Sequence, residues 1–95
     1  MSDHICELIS LLKRHYLHFQ RGLDESFVDF YDFYSYRVSD PLSPRYLGII
    51  MQVLGIKSFN RKINNRLRRW YRISFDELDT ALNRISETIQ MQITI

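Results

Sequence analysis

Little in this 95-residue chain can cross-link it or cradle a cofactor. A single cysteine, Cys6, excludes an internal disulfide and fits a reducing compartment. Three glycines leave no phosphate-cradling loop, and no G-x-S-x-G, H-E-x-x-H or C-x-x-C motif occurs. No nucleophile–base pair stands out, so no catalytic residue is assigned and a binding module is favoured over an enzyme. No apolar run approaches the ~18–20 residues of a membrane span, and the chain starts without a signal-peptide pattern. The expectation is a cytoplasmic protein with no membrane partner and no cofactor. At 45% hydrophobic residues the chain escapes the composition of disorder. It is expected to form a single domain over 1–95, burying roughly 60–65% of its unfolded surface.

The charge is present in both signs, but it is segregated. Thirteen basic and eleven acidic residues leave a formal charge of only +2. Yet Lys57, Arg61, Lys62, Arg66, Arg68, Arg69 and Arg72 follow one another with no Asp or Glu between positions 57 and 72. Acids gather on both sides, as Asp24, Glu25, Asp29 and Asp32 before and Asp76, Glu77 and Asp79 after. A solvated surface interleaves the signs, whereas a block of one sign builds a field that attracts a phosphate backbone. Arginine suits this use, because its fork pairs bidentately with phosphate or with guanine. Asn64 and Asn65, inside the block, can pair with adenine edges or make a turn, and the turn is preferred. Trp70 can stack on a base or sugar, lie under an arginine, or fill the core; core is preferred. Arg45, at the start of a helix, stands where helix amides can meet a phosphate.

His15 and His18 are spaced i, i+3, but His4 and Cys6 lie two to three turns away. Zinc needs three or four ligands in one place, so no metal site is assigned. Asp76, Glu77 and Asp79 are accounted for by capping and the helix dipole.

Apolar periodicity predicts a helix over 3–20, with Ser2 as N-cap, Ile5, Leu8, Ile9, Leu12, Tyr16 and Phe19 on one stripe, and Gly22 as the stop. A second, aromatic helix over 24–37, capped by Asp24, packs Phe27, Phe30, Tyr31, Phe33, Tyr34 and Val38. Ser39-Asp40-Pro41 is a turn. Ser43-Pro44 opens a third helix that runs to about Leu54, with Tyr46, Leu47, Ile50, Met51 and Leu54 inward. Gly55 closes it, and Gly48 at its middle marks the close approach of a neighbouring backbone. Residues 57–73 read either as a helix, with Phe59, Ile63, Leu67 and Trp70 on one stripe, or as a hairpin turning at Asn64-Asn65. In the hairpin Leu67, Tyr71 and Ile73 face inward, Arg69 lies at the wet edge, and Arg66, Arg68, Trp70 and Arg72 face outward. A short helix near 58–62 followed by a hairpin is preferred. Ser74 to Glu77 is a capping box for a last helix over about 75–88, with Leu78, Leu82, Ile85 and Ile89 inward. The tail from Thr88 alternates like a strand or a frayed helix end.

This order, together with Phe30-Tyr31-Asp32-Phe33-Tyr34, Pro41-Leu42-Ser43, Arg45-Tyr46-Leu47-Gly48, Leu54-Gly55-Ile56 and Arg69-Trp70-Tyr71-Arg72-Ile73, resembles a winged helix-turn-helix. It is similar to the C-terminal module of viral and plasmid primase-helicases and to the RFX-type DNA-binding domain. The likeness covers roughly 27–73 and departs from the pattern at the wing tip, where Asn64-Asn65 replace a glycine. It implies a mainly α fold with a small β-hairpin wing, a core over 23–73, and extra flanking helices at 3–20 and 75–90. It also implies binding of double-stranded DNA, in transcription regulation or DNA replication. The residues expected to contact DNA are Arg45, Lys57, Arg61, Lys62, Asn64, Asn65, Arg66, Arg68, Arg69, Trp70 and Arg72. Leu11 and Leu17, beyond the main stripe of the first helix, point to a homodimer. The rival expectation is an accessory subunit that docks in a larger replication or transcription complex of polymerase or helicase type.

Overall fold

A computed structural model describes the backbone of residues 2–93 and the side chains of 4–85. Helix α1 spans Ser2–Leu12 and continues into a π-helical turn, Lys13–Leu17, where the His18 N–H reaches back to the Lys13 carbonyl. Strand β1 is Leu23–Ser26, α2 Phe27–Arg37, α3 Pro44–Val53, β2 Ser58–Ile63, β3 Arg66–Ile73 and α4 Phe75–Ile93. The three strands form one antiparallel sheet in the order β1-β3-β2. The chain is therefore helical with a small antiparallel sheet, as expected.

The caps explain most of the boundaries. Ser26 accepts from the Asp29 N–H and starts α2; Asp24, expected there, lies instead in β1. Four residues are too few to show a period of their own, and β1 exists because β3 supplies its hydrogen bonds, with Leu23 opposite Ile73. Ser43 caps α3, Pro44 occupies its first turn, and Gly55 follows it at φ +90°, as expected. The first helix does not stop at Gly22: Gln20 takes the left-handed conformation, at φ 54°. Ser74 accepts from the Glu77 N–H and donates to its carboxylate, so the expected capping pair forms. Helix α4 runs to Ile93, which overturns the tail strand; the side chain of Ile89 lies outside the described residues, as does that of Ser2.

The core lies between the helices and one face of the sheet. Leu8, Leu12, Leu23, Phe30, Leu47, Met51, Tyr71, Leu78 and Leu82 are wholly buried there. Leu11 is buried with them and Leu17 packs on their edge, so the surface offered to a second copy is covered by the chain itself. Among the helical positions placed inward, Phe19 and Tyr46 are exposed. Aromatic α2 packs as its stripe predicts, and its phenols do more than reach the rim. The Tyr31 hydroxyl donates to the Leu42 carbonyl and the Tyr34 hydroxyl accepts from the Leu42 N–H, each at 2.9 Å. This pair clamps the link between α2 and α3. Tyr16 donates its hydroxyl to Glu25 on β1, and burial with that bond pushes its ionisation well above the ordinary tyrosine range.

Candidate nucleic-acid interface

Residues 58–73 form a continuous hairpin; the short helix expected near 58–62 is absent. Asn64 and Asn65 make the turn at φ 51° and 62°, a conformation that asparagine tolerates and that matches the twist of paired strands. A hairpin here pairs β2 with β3 along its length, and β1 gives β3 a second partner, so the central strand is bonded on both sides.

Alternation along the strands divides the basic block between two faces. On the outer face Phe59 stands opposite Trp70, Arg61 opposite Arg68, and Ile63 opposite Arg66. On the face toward the helices Ser58 stands opposite Tyr71, Asn60 opposite Arg69, and Lys62 opposite Leu67. Tyr71 is buried, but Leu67 on the same face is 73% exposed, because the hairpin extends past the helices that would cover it. The expectation that Leu67 packs inward therefore fails.

Trp70 is half-buried on the outer face, not in the core. Its indole donates to Asp24 at 2.7 Å, and Arg61 lies over its ring at 4.7 Å from the centroid. Arg72 pairs with the same carboxylate at 3.4 Å. The Trp70 hydrogen bond, then Arg72, hold the Asp24 carboxyl below its ordinary range. Among the described residues Arg72 is the one cation of the block within ion-pair distance of a carboxylate, and Arg61 adds its field at Asp24. Arg61, Lys62, Arg66 and Arg68 stand exposed, with Arg61 and Arg68 directly across the ladder from each other. Like charges so placed oppose the hairpin, and a polyanion relieves them.

Arg69 leaves the hairpin on the other side, toward α3. Its Nε donates to Ser58 at 2.9 Å, and its guanidinium lies 4.5 Å from the Phe27 ring centroid. The neighbour that Gly48 admits is this guanidinium, not a backbone. Lys57 follows α3 beside it. Arg45 sits in the first turn of α3, where Arg45, Gly48 and Gln52 fall at i, i+3, i+7 on one stripe. So the structure gathers Arg61, Arg66, Arg68, Trp70 and Arg72 on one face and brings Arg69 and Lys57 to α3. Sequence reasoning missed Asp24, Gln52 and Ser58, which are polar residues with no spacing to mark them. A glycine inside a helix was the one signal available for Gly48.

Among the described residues no cluster of His, Cys, Asp and Glu could hold a metal ion, and no helix is long and apolar enough to cross a membrane. Compared with family models, curated proteins and solved structures, the chain matches none.

Proposed function

We propose that the protein is a DNA-binding protein of winged-helix type, with α2 and α3 as the helical pair and the β2–β3 hairpin as the wing. The element order α1-β1-α2-α3-β2-β3 and the sheet order β1-β3-β2 support that topology. The observation that carries the function is the hairpin itself: among the described residues Arg61, Lys62, Arg66 and Arg68 project from it with no carboxylate in ion-pair contact, two of them face to face. Duplex DNA supplies the anion that this arrangement lacks, in transcription or replication. Two copies can set their hairpins about one DNA turn apart, ~34 Å. Burial of Leu8, Leu11 and Leu12 in the chain's own core argues against the α1 stripe as the interface of such a pair.

A docking role in a larger complex has its own observation. Tyr46, Ile49 and Val53 form an exposed apolar stripe along α3, at 59%, 48% and 66% of full exposure. Anisotropy with a random-sequence duplex across a salt series separates the readings. If about four to six cations neutralise phosphates, log K falls with log[salt] at a slope of roughly −4 to −5. No binding at low salt, or a flat response, rejects the DNA reading and leaves docking.

A further inference from the structure

The basic hairpin is not uniform, because one of its cations is held in a built cleft. The Arg69 side chain, although exposed, is placed by three contacts: its Nε on Ser58, its guanidinium carbon 4.5 Å from the Phe27 ring centroid, and its two Nη atoms toward α3 at Gly48. A β-carbon built on Gly48 would lie 2.8 Å from one Nη and 3.0 Å from the other. A helix pays for its interior glycine in stability, and here the missing side chain makes room for a guanidinium. Beside it opens a cavity of about 180 Å³ lined by Gly48, Gln52, Ile56, Lys57, Ser58 and Arg69. That is room for several water molecules, and so for a phosphoryl group. Arg69 and Lys57 bring two cations to it, Gln52 and Ser58 bring polar groups, and among the described residues no carboxylate pairs with Arg69.

We infer that this cleft binds one phosphate group of a nucleic-acid backbone, with Arg69 and Lys57 as its cations and Gly48 as the residue that leaves room for the guanidinium. The inference rests on the DNA-binding reading for the source of the phosphate. A guanidinium already held on Ser58 and against Gly48 is ordered before a ligand arrives, so little side-chain freedom is lost on binding. A lone carboxylate fits the site too, but Lys62 continues the positive charge along the same face of the hairpin. That continuation suits a repeating polyanion.

The decisive variant is Gly48→Ala. The atoms that meet the new methyl are the far end of a flexible side chain, so the helix persists while the guanidinium is displaced. Thermal melting is expected at the wild-type temperature or above. Affinity for a random duplex is expected to fall about tenfold, the scale of one charge-assisted contact, and the salt slope to lose about 0.9. Arg69→Lys keeps the charge without the fork and should lie between. In parallel, pyrophosphate is titrated into ¹⁵N-labelled protein. In the wild type the Arg69 Nε–H and Ser58 amide signals should shift and saturate; in Gly48→Ala they should not. Equal duplex affinity in wild type and Gly48→Ala overturns the cleft while leaving DNA binding intact. If the wild type binds no duplex, the functional reading falls, and the pyrophosphate titration decides the cleft alone. Saturation at Arg69 then sustains it, and its absence rejects it.

Discussion

The indole of Trp70 donates to the carboxylate of Asp24 across 46 positions of sequence, joining the outer strand β1 to the central strand β3. The same carboxylate takes the Arg72 guanidinium, so one acid orients an aromatic ring and neutralises one arginine.

This acid makes the outer face sensitive to pH. The folded-state ionisation of Asp24 is lowered, so its contribution is present above the unfolded-state value and is lost as pH falls through the folded one. Between neutrality and pH ~3, below the ordinary aspartate range, wild-type stability should decline and Trp70 emission should change. Asp24→Asn should show less of both. Identical acid profiles for the two proteins would remove Asp24 from the account.

The burial of Leu11 distinguishes a self-covered α1 from an interface. With 2% of its surface exposed inside the chain's own core, Leu11→Ala should cost about 2–5 kcal/mol. The melting temperatures of wild type and variant should be independent of protein concentration as far as α1 is concerned. A stabilising effect of concentration on the wild type that Leu11→Ala abolishes would put α1 back at a subunit contact.

The turn residues act through their backbone. Asn65 lies at φ 62°, so Asn65→Gly should preserve or raise stability, and Asn65→Val should cost roughly 1–2 kcal/mol. If the asparagine serves only the turn, Asn65→Gly retains duplex affinity within about twofold. A tenfold loss with the hairpin intact by circular dichroism would instead give the side chain a base-reading role.

Much of this protein is legible in local sequence. Ser43-Pro44 and Gly55 bound α3, Ser74 and Glu77 open α4, Asn64-Asn65 turn the hairpin, and the acid-free block from 57 to 72 marks the charged element. Each rests on interactions within a few residues, or on alternation and charge, which the chain carries wherever it folds. Tertiary structure decided what depends on distant partners. Strand β1 forms only on the edge of β3, and it takes Asp24 away from the helix it was expected to cap. Leu67 alternates as a core residue but has no core above it, because the hairpin outruns the helices. Gly48 and Arg69 are separated by 21 positions and meet only when the hairpin folds back on α3. Periodicity assigns a side chain to a face. What that face meets depends on chain-reversing contacts whose energy no local window contains.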